Sequence, residues 1–472
     1  MSNKRTILIG TVILTATGFM TRFIGFFFRM FLSHTFGEEQ MGLYQLIFPI
    51  YALCFSFTCA GIETAISRCT ARKISLGKRT EAIQILYLGL GISLLLSFIT
   101  LLVLQTHASD FAIYILGDIR CEPMLIAISY AIPFAAIHSC ICGYYFGLKQ
   151  TKIPAISQLI EQIARVSAVY IIYHFAQNHN GQIHILFAVL GIVVGECFST
   201  LFCVSCFTTS TKKASVSVTS KKLLPLAGEL LRLSIPLTSS RILLNILQSV
   251  ESISIPLRLQ QYGFTTSEAL SNYGVLTGMA LPCVLFPSAV TNSISTMLMP
   301  TVAEIQATQN NAKLKELIQK VFLSCSFLGF ACCILFFSLS QWIGTVLFHS
   351  QLAGNYLKTL SFICPFLYLN STLISIINGL GNATTSLIIN TLGLAIRIAG
   401  VLLCIPLIGM KGYLWGLLLS QIITCILCLF HLIYHLKKEC VKTHSFLFDI
   451  RQFYDIFSKK MSQTVCLCVL MI

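Results

Sequence analysis

Ala82-Ile-Gln-Ile-Leu-Tyr-Leu-Gly-Leu-Gly-Ile-Ser-Leu-Leu-Leu-Ser-Phe-Ile-Thr-Leu-Leu-Val-Leu104 carries no charge and no proline. A helix needs about 20 apolar residues to cross the roughly 30 Å hydrocarbon core of a bilayer, so this stretch is long enough to span. Eleven more stretches of the same kind run from about 6–32 to about 413–434, which predicts about twelve transmembrane helices. The composition agrees: 56% of the 472 residues are hydrophobic and 10% charged, with a mean hydropathy of +0.81. Soluble domains carry about 25% charged residues, so most of this chain's surface faces lipid. The expected class is an all-α integral membrane protein.

A net charge of +15 invites a nucleic-acid reading. The placement of the cations argues against it. Lys4, Arg5, Arg68, Arg72, Lys73, Lys78, Arg79, Lys149, Lys152, Lys212, Lys213, Lys221, Lys222, Lys313, Lys315, Lys320 and all those after 434 fall on one side of the predicted membrane. The alternate loops hold only Arg120, Arg258, Lys358 and Lys411. This is the positive-inside asymmetry, and it places both termini in the cytoplasm of a multi-pass plasma-membrane protein. Lys4-Arg5 followed by Thr6–Met20 has the outline of a signal peptide, but no small-residue cleavage site follows and Arg22 intervenes. An uncleaved first span is expected.

Twenty cysteines sit mostly inside spans, where they read as soft packing residues. The ten histidines form no metal-binding signature, and no GxxxxGK[ST] loop occurs. No cofactor or metal is expected, and nothing points to an enzyme.

Sliding the chain against itself by 232 positions aligns Pro133-Phe134 with Pro365-Phe366, Ser139 with Ser371, Gly147-Leu148 with Gly379-Leu380, and Arg165 with Arg397. Pro, Gly and Arg are not filler in membrane helices, so the register carries weight. The matched segments are the fourth and fifth spans of each six. Six is even, so both halves enter the membrane in one direction, as parallel transporter repeats do. The expected organisation is a six-helix bundle over 1–207, a Ser/Thr/Lys-rich cytoplasmic linker over 208–222, a second bundle over 223–436, and an interfacial tail over 437–472. Phe446, Ile450, Phe453, Tyr454 and Phe457 give that tail an apolar helical face.

A charge inside a span costs about 2.5–3.5 kcal/mol on insertion scales and is a functional candidate by default. In the first span Gly18, Arg22, Gly25 and Arg29 share one helical face, with the glycines leaving room beside the guanidiniums. The seventh span repeats the spacing with Arg241, Asn245, Gln248 and Ser252. Guanidinium forks suit phosphate oxygens, so two facing stripes would make an anion-binding cavity. A structural alternative pairs Arg22 with Glu63. Glu161 and Arg165, four apart with the acid first, suit a structural ion pair. Arg397 has Gly393 where that acid would stand, and it joins Arg22, Gly25, Arg29, Arg241, Asn245 and Gln248 as a candidate for the substrate cavity. Glu63, Glu196 and Glu251 are candidates for ion coupling, or for neutralising an arginine.

Thr21-Arg-Phe-Ile-Gly25, Gly42-Leu-Tyr-Gln-Leu-Ile-Phe-Pro-Ile-Tyr51, Ala65-Ile-Ser-Arg68, Leu233-Ser-Ile-Pro236, Ile255-Pro-Leu-Arg-Leu-Gln260 and Tyr273-Gly-Val-Leu-Thr-Gly-Met-Ala280 resemble the stage V sporulation protein B family. That family of polysaccharide biosynthesis proteins sits in the multidrug/oligosaccharidyl-lipid/polysaccharide (MOP) exporter superfamily, with lipid II flippases and O-antigen flippases. The resemblance covers about 6–434. It implies the MATE-like fold and translocation of an undecaprenyl-pyrophosphate-linked glycan between leaflets, with membrane lipids as its surroundings. It also implies a first-helix arginine in a cationic cavity, matched here by Arg22 with Gly25. Arg29 stands one residue later than the family's second cation, Glu63 where relatives commonly have Pro, and Glu251 where an Asp is common. Many relatives have fourteen spans. Two alternatives remain: a cation-coupled multidrug exporter of the same superfamily, and a non-transporting scaffold of envelope assembly.

Overall fold

The computed structural model describes residues 3–178, 184–211, 223–307 and 311–442. Linker residues 212–222 and the tail from 443, including the expected amphipathic face, lie outside them. The described residues form helices and connecting turns with no strand. The first long apolar segment, Val12–Ser75, has 64 residues. At about 1.5 Å per residue it would be roughly three times too long for one crossing. It divides at Gly37, whose φ of 77° and ψ of −179° suit a residue without Cβ. Two further segments are bent pairs: Ile119–Ser129 with Ala131–Gly147 at 43°, and Thr266–Leu285 with Ser288–Gln306 at 58°. Counting each bent pair once and dividing at Gly37 gives a set consistent with the twelve expected spans.

The repeat appears in backbone geometry as well as in residue type. Gly117 and His349, 232 apart, both have positive φ (76° and 52°), and so do Lys149 and Gly381 (60° and 81°). Asp118 and Ser350, the next pair, are both N-caps whose side chains accept from a backbone N–H. The third span ends in a π-helical turn at Phe111–Leu116, the ninth in one at Ile343–Leu347. A proline in the first turn follows a break in both the fourth and tenth spans, since proline cannot donate the helical hydrogen bond. Helix contacts repeat too. A Cβ on Gly147 would meet Ser67 O and Thr70 Cβ, and one on Gly379 would meet Met299 O and Val302 Cβ. Among the described residues the fold is two parallel helical repeats, consistent with six spans in each.

The halves meet along the second, seventh and eighth spans. Gly42 and Gly274, themselves 232 apart, touch. A Cβ on Gly42 would lie 2.1 Å from Leu270 O, and one on Gly274 would lie 2.4 Å from Gly42 N. The axis relating the bundles therefore passes between these backbones. At the end of the molecule away from the basic loops, Ser33 Oγ donates to Phe348 O at 3.1 Å, and His34 Nε2 lies 2.6 Å from Leu347 O. At the basic end, Lys73 Nζ sits 2.9 Å from Glu229 and 3.1 Å from Glu81, joining the second and third spans to the seventh.

Gly42→Ala and Gly274→Ala should each lower the melting temperature of the detergent-purified protein, by a cost of about 1–3 kcal/mol for overpacking against backbone. Gly91→Ala is the control. It has open space at its Cβ position, and its effect should stay within about 0.5 kcal/mol.

Candidate functional site

Between Val12 and Phe27 the first span buries only Thr17, whereas Phe28, Leu32, Ser33 and the whole of 41–47 are buried. The span is packed at the end remote from the basic loops and peeled away nearer to them. The gap between it and the eighth span is a cavity of about 410 Å³ lined by Thr21, Arg22, Gly25, Phe26, Arg29, Gln162, Pro282, Leu285, Phe286, Ser288 and Asn292. A second lobe of about 290 Å³ shares Arg22 and Asn292 and continues past Gly18 to Leu14. Neither Gly18 nor Gly25 has an atom within 4 Å of the place a Cβ would take, so both glycines widen the space.

Arg22 is exposed to this cavity and held by neutral partners from the other half. Its Nη1 donates to Ser288 Oγ at 3.4 Å. With the Asn292 amide turned oxygen-first, Nη1 and Nη2 donate to it at 3.2 and 2.9 Å. Neither Arg22 nor Arg29 forms an ion pair among the described residues, and no carboxylate is among the lining residues. Phe26 packs on Phe286 at 5.6 Å and on Phe348 at 6.1 Å, closing the cavity toward the end remote from the basic loops. The chemistry on offer is two guanidiniums, two amides and two hydroxyls in an aromatic-walled, partly desolvated space. That set suits an anion with oxygens.

The seventh-span stripe lies elsewhere. Asn245 Nδ2 donates to Ser56 Oγ and, at 3.4 Å, to Ala52 O, while Ser249 Oγ donates to Pro49 O at 3.2 Å. The second span is irregular, with a break at Ile47 and a π-helical turn at Ser56–Ala60, and Asn245 of the stripe and its neighbour Ser249 cover its polar atoms. Arg241 is exposed and donates to Thr64 Oγ1 at 3.1 Å; Gln248 is exposed. None of these residues lines the Arg22 cavity.

Arg397 has a partner after all, from another helix. Its Nη2 is 2.5 Å from Glu251, and the hydroxyl of Tyr413 donates to the second carboxylate oxygen at 3.0 Å. The two residues neutralise each other. Glu63 is half-buried within electrostatic range of Arg241 and His138, not paired with Arg22. Glu196 is buried, accepts from Tyr51 at 3.4 Å and lies 3.4 Å from His138 Nδ1. Glu161 and Arg165 form the intrahelical ion pair their spacing predicts.

Ser288, Asn292 and Gln162 were not singled out from sequence. The signal was available: Ser288, Asn292 and Thr296 recur every fourth residue along the eighth span. Removing one member of a buried pair costs about 3–5 kcal/mol because the other charge stays buried. Arg397→Met should therefore melt far below the parent. Adding Glu251→Met should recover much of the loss.

A family model described as polysaccharide biosynthesis protein matches residues 7–306. Stage V sporulation protein B of Bacillus subtilis (strain 168) is 27% identical over 432 residues, covering 90% of this chain and 83% of that one. The lipid II flippase MurJ of the same organism is 26% identical over 174 residues, 35% of this chain and 32% of that one. Among solved structures, an inward-facing multidrug resistance MATE family transporter of the MOP superfamily superposes with a TM-score of 0.67 at 13% identity, covering 91% of this chain and 98% of that one. A MOP superfamily transporter from Pyrococcus furiosus gives 0.62 at 13% identity, covering 92% and 96%. With the family model spanning more than half of its length, the chain belongs to the polysaccharide biosynthesis protein family, and it shares its fold with the solved transporters of the MOP superfamily.

Proposed function

We propose that this transporter is a flippase that moves an undecaprenyl-pyrophosphate-linked glycan, lipid II or a polysaccharide precursor, from the inner to the outer leaflet. The observation that carries this reading is a pair of arginines, Arg22 and Arg29, in a cavity whose lining has no carboxylate. A drug exporter that binds cations needs the opposite polarity. The name of one similar protein, the lipid II flippase MurJ, supports the same substrate class.

In this reading the bundles 1–207 and 223–436 rock about the linker 208–222, with 437–472 on the inner surface and both termini cytoplasmic. The phosphates enter between the first and eighth spans from the basic side. Arg241 serves as an outlying cation near Glu63. Glu63 and Glu196 are the candidates for ion coupling, while Glu251 is committed to Arg397. Carrying a charge of −2 outward down an inside-negative potential of 100 mV is worth about 4.6 kcal/mol, so the step needs no nucleotide.

The test is translocation of a pyrophosphate-linked polyprenyl glycan in vesicles holding the purified protein. Arg22→Ala should abolish it with membrane levels unchanged. Arg22→Lys should restore part of it, because an ammonium keeps the charge and loses the fork. Arg241→Ala should weaken it less than Arg22→Ala. Parent-rate translocation by Arg22→Ala would remove the anion-binding role. Export of a cationic dye with no glycan movement would favour the multidrug reading, and neither activity would favour the scaffold.

A further inference from the structure

A separate polar cluster lies inside the N-terminal bundle. His138 and Cys142 stand one turn apart on the fourth span, Ser157 is on the fifth, and Glu196 and Cys203 are on the sixth. Cys142, Ser157, Glu196 and Cys203 are all buried. Ser157 Oγ lies 2.9 Å from His138 Nε2 and 3.6 Å from Cys142 Sγ, and the two sulfurs are 4.0 Å apart. Donor atoms of His138, Cys142 and Cys203 all fall within 4.8 Å of one another. The other imidazole nitrogen, Nδ1, faces Glu196 Oε2 at 3.4 Å, and that oxygen has no hydrogen-bond partner.

We propose that His138, Cys142 and Cys203 form a zinc site within the N-terminal bundle, with Glu196 orienting the imidazole. A tetrahedral zinc with bonds of about 2.3 Å to two thiolates holds the sulfurs about 3.8 Å apart, close to the 4.0 Å found here. A ligating histidine commonly gives its second N–H to a carboxylate, and Glu196 stands in that place. Water or the Ser157 hydroxyl fills the fourth position. Charge favours zinc over copper(I): two thiolates cancel a divalent ion, whereas a monovalent ion would leave a net negative charge buried among apolar helices. On binding, the two thiol protons leave to solvent.

Packing alone does not require these residues. The residues 232 further on are Asn370 for His138, Ile374 for Cys142, Ile389 for Ser157, Cys428 for Glu196 and His435 for Cys203. The second bundle builds the same architecture with two isoleucines where the first has a thiol and a hydroxyl. A metal there would tie the fourth, fifth and sixth spans together near the basic end of the bundle.

The full chain, purified in detergent under reducing conditions and stripped with chelator, is titrated with zinc or cadmium. Expected results are a single retained zinc ion by elemental analysis and a cadmium–thiolate charge-transfer band. Both should vanish in Cys142→Ser/Cys203→Ser and persist in Cys425→Ser/Cys428→Ser. Glu196→Gln should keep the band and weaken affinity about 10–100-fold, as loss of an orienting carboxylate does. X-ray absorption on the zinc-loaded parent needs no variant and should find two sulfurs and at least one nitrogen around the metal. A shell without sulfur, binding unchanged in the double serine variant, no binding at all, or a Cys142–Cys203 disulfide in place of the metal would each overturn the proposal.

Discussion

The contact between Gly42 and Gly274 sets the geometry of the whole molecule. Two helices can bring their backbones this close only where neither carries a side chain, and here the two glycines are repeat mates meeting each other. That fixes the relation of the bundles along the second and eighth spans near the end remote from the basic loops. The first span then has no freedom at that end, where Phe28, Leu32 and Ser33 pack into the core beside the buried residues 41–47, and keeps it at the other. The cavity beside Arg22 is a consequence: two helices held together at one end diverge toward the other.

The two halves share a backbone and differ in where they place polarity. In the C-terminal half, Arg397 is answered by Glu251 and Tyr413, so the charge is spent inside the bundle. In the N-terminal half, Arg165 is answered by Glu161 one turn away, while Arg22 and Arg29 are left to the cavity. Breaking the internal symmetry in this way gives the molecule one cationic wall in place of two. It also explains why the seventh-span stripe, legible as a mate of the first, serves another end. Its Asn245, together with the neighbouring Ser249, satisfies polar atoms of the irregular second span.

The class of fold, the parallel repeat and the shared face that sets Arg22, Gly25 and Arg29 along one cavity could be read from sequence because each rests on local spacing or on a fixed offset. Apolar length counts spans, and a four-residue period puts residues on one face whatever surrounds them. Partners across the fold could not be read this way. Arg397 looked unpartnered because only its own helix was visible, and its carboxylate comes from a residue 146 positions earlier. The His138–Cys142–Cys203 grouping was hidden for the same reason: one of its sulfurs is 61 residues from the other, outside any short motif. Cysteine-rich spans make such a cluster look like packing until three helices are seen together.

Neutral partners are what make Arg22 useful. A carboxylate in the place of Asn292 would stabilise the guanidinium in the membrane but cancel its charge, and a phosphate would then have to displace an ion pair to bind. An amide oxygen and a hydroxyl orient the fork while leaving the positive charge for the ligand. Both partners come from the eighth span, in the other half of the molecule. Any rearrangement that widens the gap between the first and eighth spans therefore strips Arg22 of its orienting contacts as the cavity changes shape. In the proposed flippase, anion affinity would thereby follow the relative position of the bundles, as binding on one side and release on the other requires.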